Sequence, residues 1–327
     1  MPANLTPAYR EAEEQYRQAV SPEDKLTALR RMLTTIPKHK GTEKLQADIK
    51  RRIARLNDDI VHQARRKGFS IRVEREGAGQ VVLVGPPNAG KSQLAATLSG
   101  VDLEVAPYPY STHVPAPAMM PYEDVRIQLV DLPPVSSTHT ESWVPNIVRT
   151  SDAALLVCDL SSPDVIDRTE DCLSTLETHK VRLVRGDSDP DPHARVLEKR
   201  ARLVGTKLDL PGATDTRSVV EELYGERFEI DAVSAVERRN TEALARRVFE
   251  LLRIVRVYSK PPGHEPDRSR PFVVPAGSTL LDFARIVHHD FVDRLKFARV
   301  WGHGKFDGQR VTKDYVVEDG DVIELHA

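Results

Sequence analysis

Cysteine is nearly absent from this chain of 327 residues, with Cys158 and Cys172 the only two. Two thiols at that spacing make neither a disulfide framework nor a zinc site, so the sequence reads as cytoplasmic. Cys158 lies in an apolar strand-like run and reads as a small buried hydrophobe. Long apolar runs are missing as well, none approaching the roughly 18 residues that span a bilayer. The opening MPANLTPAYREAEE has neither the apolar stretch of a secretory signal nor the Arg-rich, acid-poor character of a transit peptide. No membrane partner is expected. Net charge is also close to absent, with 47 basic against 49 acidic residues. That balance would argue against a nucleic-acid partner if it were uniform along the chain. It is not: residues 1–76 carry 17 basic and 11 acidic groups, residues 77–253 carry 19 and 27, and residues 254–327 carry 11 and 11.

What is present is a globular composition, 40% hydrophobic and 29% charged, long enough for two or three domains. Residues 7–67 hold helical spacing in three pieces: Pro7 to Ala19, a stretch capped by Ser21 with Pro22 at its first position, and Thr42 to about Lys67. The last piece sets Leu45, Ile49, Ile53, Leu56, Ile60 and Val61 on one stripe, ringed by Lys50, Arg51, Arg52, Arg55, Arg65, Arg66 and Lys67. Its cationic face is either a solvated helix surface or a contact for nucleic-acid phosphates. After Gly68 short apolar strands alternate with helices, which predicts a mainly parallel sheet covered on both faces. Strands are expected at 80–85, 125–130, 153–159, 202–206 and 228–233, with helices at 91–98, 165–177, 218–224 and 241–255 and a long polar loop at 185–198. The breaker Ser259-Lys260-Pro261-Pro262-Gly263 introduces a small α+β module. Three units follow: 1–76, 77–255 and 256–327.

Gly85-Pro86-Pro87-Asn88-Ala89-Gly90-Lys91-Ser92 fits the phosphate-loop pattern G-x-x-x-x-G-K-[ST] between a strand and a helix. The glycines let the backbone wrap a phosphate, and the amides of Asn88 to Ser92, with Gln93 next on the helix, point inward at it. Lys91 reaches the β and γ phosphates, and the Ser92 hydroxyl binds Mg2+. Asp131 ends a later strand. Thr206-Lys207-Leu208-Asp209 follows another, where a carboxylate accepts the N1–H and N2–H2 of guanine and a lysine stem lies over the base. Ser234-Ala235, after a third, places an amide near guanine O6. Each short motif is weak alone, but their order and strand-end positions converge on one site that takes GTP or GDP.

The set 85–92, Tyr108-Pro109-Tyr110-Ser111-Thr112, Asp131-Leu132-Pro133, TKLD and SA resembles the Obg-type GTPases. The run from RVYSKPPGHEPDRSRPFVVPAGSTLLDFARIVHHDF to EDGDVIEL resembles the TGS domain, a β-grasp module, of the developmentally regulated GTP-binding protein (DRG) branch, and GTEKLQADIKRRIARL is similar to that branch too. The resemblance implies a P-loop NTPase G domain between an N-terminal helical arm and a C-terminal TGS domain, in a compact form whose 131–159 stretch is too short for the extra small domain of eukaryotic DRG proteins. It further implies Thr112 as a threonine that closes on Mg2+, unless it is an ordinary loop hydroxyl with Ser111 in its place, and Asp131 as a holder of Mg2+ through water. Asn88 matches an asparagine that binds K+ in potassium-dependent relatives, or is a backbone turn residue; with Lys91 and Thr112 it completes the catalytic candidates. A ribosome or another RNA assembly, and a protein partner through the TGS domain, are implied by the resemblance, and a monomer is expected.

The chain departs from the family at Pro134, where the usual glycine donates its amide to the γ-phosphate; proline has none to give. Val135 follows and cannot orient a water. Two functions are therefore expected as alternatives: a slow GTPase switch on an RNA assembly, or a guanine-nucleotide-binding scaffold with little or no hydrolysis. His113, His139 and the pair His288-His289 read as surface histidines, and Trp301, Phe306 and Tyr315 as core.

Overall fold

A computed structural model describes residues 7–18, 22–36, 46, 48–53, 73–100, 115–191, 193–288, 294–303 and 305–326. It divides into two units, residues 1–71 and 72–327. In the first, helices α1 (Pro7–Gln18) and α2 (Pro22–Thr35) pack on each other. Tyr9, Ala12, Leu29, Met32, Ile36 and Ile49 form their core. Pro22 stands at the first position of α2, where a missing N–H costs nothing. Residues 48–53 are helical, with Ile49 buried and Lys50, Arg51 and Arg52 exposed, the last paired with Asp48 at 2.8 Å. The expected basic stretch from Arg55 to Lys67 lies outside the described residues.

The second unit holds two sheets. Strands β1 (Gln80–Val84), β2 (Ala116–Tyr122), β3 (Val125–Asp131), β4 (Ala153–Asp159), β5 (Val181–Arg185), β6 (Leu197–Thr206) and β7 (Ile230–Ala232) form the first, in the order β2-β3-β1-β4-β6-β5 with β7 also on β6. All neighbours run parallel except β2 and β3, which form an antiparallel hairpin turning at Glu123-Asp124. β2 is the edge strand and contains Pro117 and Pro121. Helices α3 (Lys91–Ser99), α4 (Val144–Thr150), α5 (Val165–Thr178), α6 (Ala213–Tyr224) and α7 (Thr241–Leu252) connect the strands. Val81 and Leu83 join a core with Leu94 of α3 and Leu244 and Val248 of α7. Val82 and Val84 point the other way by the period-two rule and are equally buried, so both faces are covered. Both cysteines are buried and free, and burial pushes their thiols up to about 12, which fits small inert hydrophobes.

The second sheet contains β8 (Ile254–Ser259), β9 (Phe272–Pro275), β10 (Phe297–Trp301), β11 (Gln309–Val311) and β12 (Asp321–His326) in the order β11-β10-β12-β8-β9, with helix α8 (Leu280–Val287) on one face. Thr279 and Asp282 close a reciprocal capping box at the start of α8. The expected helix to Val255 stops early: Arg253 turns into the left-handed region at φ 48°, and the chain leaves as β8. The second sheet therefore begins before the Ser259-Gly263 breaker. The polar loop at 185–198 is also shorter than expected, because β6 starts at Leu197 and pairs with β5. Tyr315 is half-buried and donates to Asp321 at 2.7 Å, and Trp301 is half-buried under Lys260. Phe306 departs from expectation, 85% exposed on the β10–β11 loop.

One cation inside the first sheet gives a pH prediction. Lys199 of β6 is buried, and its ammonium donates to the carbonyls of Arg149, at 3.2 Å, and Ser151. Burial lowers its pKa from an ordinary 10.5 to about 8. Between those values the unfolded chain holds more protons than the folded one, so stability rises with pH through that window. Melting measured from pH 8 to 10 is expected to show this rise in the wild type and a flatter profile in Lys199→Met; parallel profiles would refute it.

Candidate nucleotide site

The phosphate-loop residues form the turn between β1 and α3. Gly85 has no room for a side chain, since a Cβ there would lie 2.2 Å from the Val157 carbonyl oxygen of β4. Asn88 and Gly90 sit at φ 61° and 85°, and such left-handed residues between right-handed ones turn successive amides toward one side, the geometry of an anion nest. α3 then starts at Lys91, adding its positive end. The Lys91 ammonium is buried and donates to the Gly85 and Pro86 carbonyls, each at 3.0 Å, and burial pushes its pKa down. Gln93, on the first turn of α3, reaches along the helix to Thr97 at 3.4 Å.

Ser92 donates to Asp131 Oδ2 at 2.5 Å, joining the start of α3 to the end of β3. Asp131 is 2% exposed, and its other oxygen, Oδ1, is buried without a hydrogen-bond partner. Burial raises its pKa, against the Ser92 hydrogen bond and the Lys91 charge. An orphaned carboxylate oxygen beside a hydroxyl is the donor set of a hard cation that takes most of its ligands from water and phosphate. The residues present therefore fit Mg2+. Among the described residues no cluster of three or more His, Cys, Asp or Glu forms an all-protein metal cage.

Residues 131–135 are all buried. Pro134 lacks an N–H, and the Val135 amide donates to the Gly85 carbonyl at 3.1 Å, fastening this segment to the phosphate loop. The chain then closes a tight turn in which Ser136 and His139 exchange backbone hydrogen bonds at 3.2 Å, and the Ser137 amide donates to Asp171 of α5 at 3.0 Å. A cavity of about 340 Å³ lies here, lined by Pro86, Pro87, Asn88, Ser136, Thr138, Arg168 and Asp171. Asn88 is exposed in its wall.

The base-reading candidates gather at the ends of β6 and β7. Thr206 donates to the Ala89 carbonyl at 2.7 Å and to that of Cys158 at 3.1 Å. Its hydroxyl is committed to the protein, so it sets the phosphate loop against TKLD and leaves ligand contact to its neighbours. Lys207 sits at φ 58°, and its ammonium meets Asp159 Oδ2 at 2.6 Å. A hydrogen bond from the buried Ser234 holds the half-buried Asp209 carboxyl below the usual range. The Ala235 carbonyl accepts from Thr97 of α3 at 3.1 Å. Phosphate loop, Asp131, TKLD and SA thus meet at the carboxyl ends of β1, β3, β6 and β7. Thr112, its segment 108–112 and His113 lie outside the described residues. Sequence reasoning missed Asp159, although its place at the end of an apolar strand was a signal, and the Val135 amide, for which no sequence signal exists.

Comparison with known proteins bears on the domains that carry this site. Residues 80–185 match the family model described as a 50S ribosome-binding GTPase, and residues 255–327 match the TGS domain. Developmentally-regulated G-protein 1 of Arabidopsis thaliana is 27% identical over 351 aligned residues, covering 88% of this chain and 87% of its own. The chain is thus similar to DRG GTP-binding proteins along most of its length. Ribosome-interacting GTPase 1 of Saccharomyces cerevisiae, another such relative, is 24% identical over 92% of this chain and 98% of its own. A solved GTP-binding protein from Pyrococcus horikoshii superposes with a TM-score of 0.50 at 15% identity, over 76% of this chain and 99% of its own, and supports the fold. The chain thus combines a P-loop G domain, a kind of domain that in general hydrolyses GTP with Mg2+, and a C-terminal TGS domain.

Proposed function

We propose that this DRG relative is a slow GTPase that works as a nucleotide-dependent switch on the ribosome or another RNA assembly, as a monomer in the cytoplasm. The observation that carries the reading is the pairing of Ser92 with Asp131, whose second oxygen is buried and unsatisfied beside the Lys91 ammonium. Ser92 and Asp131, with Thr112 as the third candidate, would hold Mg2+, which when bound neutralises charge on the β and γ phosphate oxygens. Lys91 carries a positive charge toward the same oxygens, and the amides of 88–92 bind the β-phosphate. Asp209 accepts the two guanine donors, Lys207 covers the base and the Ala235 amide meets its carbonyl. Asn88, exposed at the loop, is the candidate for K+. Along the sequence the basic helical region (1–76) precedes the G domain (77–255) and the TGS domain (256–327) follows it, and these two are the docking surfaces. The name of the yeast relative, a ribosome-interacting GTPase, supports the partner.

Hydrolysis is expected to be slow, because Val135 is buried with its amide spent on Gly85 and no side chain there can orient water. Intrinsic turnover no faster than the roughly 10⁻⁴ to 10⁻² s⁻¹ of GTPases that have a water-orienting glutamine is expected. The test is phosphate release over multiple turnovers in K+ against Na+, with and without ribosomes. Release that rises in K+ is expected, and none above background in any condition would sink the switch. One observation favours the second reading, a scaffold: Pro134 offers no N–H, and its neighbour's is already occupied. A scaffold requires near-equal affinity for GTP and GDP, so a tenfold preference would count against it.

A further inference from the structure

The β2–β3 hairpin has two ends with different surroundings. At one, Ala116 pairs with Asp131, whose carboxylate meets Ser92 of the nucleotide site. At the other, one strand length or roughly 20 Å away, the turn Glu123-Asp124 meets the second sheet. There Arg256 of β8 gathers three carboxylates. Its guanidinium donates to Glu123, to Asp124 Oδ1 at 2.8 Å, and to Asp319 at 2.8 and 3.1 Å. Tyr258, two residues along β8, donates its hydroxyl to the other oxygen of Asp124. Below the guanidinium lies the Phe249 ring of α7, 5.0 Å from it, and Tyr122 of β2 stacks on the same ring at 4.8 Å.

The carboxylates are partly exposed, Glu123 at 57%, Asp319 at 38% and Asp124 at 25%, but the cation they share is not. The Arg256 side chain is only 12% exposed, and it is the common partner of three anions drawn from the hairpin and from the segment before β12. Burial alone would raise the Asp124 carboxyl, yet the hydrogen bonds from Tyr258 and Arg256 hold it below its ordinary value. Removing the cation would leave Glu123, Asp124 and Asp319 facing one another and push the hairpin from the TGS sheet. Glu123 occupies the left-handed region at φ 48°, so the turn itself is held in an uncommon conformation.

We infer that Arg256 is a latch coupling the nucleotide at the Asp131 end of the hairpin to the seating of the TGS domain at the other end. The inference rests on the nucleotide reading of the phosphate loop. A nucleotide that shifts the Ala116–Asp131 end displaces the Glu123-Asp124 turn against β8. By linkage a ligand on the TGS domain that shifts β8 changes nucleotide preference by the same factor.

The test uses the full chain and hydrogen–deuterium exchange of β8, β9 and β12 with Mg-GDP and with a non-hydrolysable GTP analogue. In the wild type the two nucleotides are expected to give exchange rates in these strands that differ by about fivefold or more. In Arg256→Ala the difference vanishes, while affinity for GDP stays within about threefold, because Arg256 is remote from the nucleotide site. Should that variant fail to fold, Glu123→Gln combined with Asp124→Asn removes the hairpin's half of the latch and is expected to give the same loss. Binding of both nucleotides with equal exchange in the wild type, or an unchanged difference in the variants, overturns the latch alone. Failure of the wild type to bind either nucleotide overturns the nucleotide reading and the latch with it.

Discussion

Replacing Lys91 with alanine is expected to abolish binding of guanine nucleotides while leaving the protein folded. The Lys91 ammonium is buried against the Gly85 and Pro86 carbonyls, and burial lowers its pKa, so its charge is held at a cost that an arriving phosphate would offset. Two charge-assisted hydrogen bonds to phosphate, at about 1.5–3 kcal/mol each, correspond to roughly 10²–10⁴-fold in affinity. Thermal melting provides the control. Nucleotide at a hundred times its Kd stabilises the wild type by about 2.7 kcal/mol, and the variant should melt near the nucleotide-free wild type with no shift on adding GDP. Retained binding of a fluorescent GDP would remove the phosphate-loop reading altogether.

Asp209→Asn is expected to weaken guanine nucleotides by about 10²–10³-fold and to admit xanthine nucleotides. The carboxylate offers two acceptors to the N1–H and N2–H2 of guanine, whereas the amide offers one acceptor and one donor, which suits the carbonyl of xanthine at that position. The hydrogen bond from the buried Ser234 keeps Asp209 ionised and oriented, so the exchange of partners follows from the substituted atom and not from a loosened loop. Competition of GDP against xanthosine diphosphate measures it, and unchanged GDP affinity would show that TKLD does not read the base.

The core of the site was legible because phosphate chemistry fixes its spacing. Gly85 to Ser92 can be located by residue type alone, since close backbone approach excludes side chains at Gly85 and the loop needs left-handed residues near Asn88 and Gly90. The role of Thr206 was not legible. A threonine opening a base-reading motif looks like a ligand contact, and only the fold shows its hydroxyl spent on Ala89 and Cys158. Strand β2, sequence APAMMPY, contradicts strand preference with its two prolines and becomes a strand only because β3 lies beside it. The run LLRIVRVY carries enough apolar residues to continue α7, and the break at Arg253 depends on the second sheet capturing β8. The ring of carboxylates around Arg256 joins residues more than 130 positions apart in the chain, a distance over which no local pattern speaks.

The prolines of β2 also bear on solubility. No described strand pairs with the outer side of β2, so it is one of the two open edges of the sheet, with β5 and β7 at the other. An open edge of unpaired amides is a template for another chain's strand, and so for aggregation. Pro117 and Pro121 stand four positions apart in the strand, with the same parity, and remove two donors from it. Proline is tolerated within a sheet where its nitrogen faces away from the ladder, so the two residues that made β2 hard to recognise would keep copies of the protein from joining sheet to sheet.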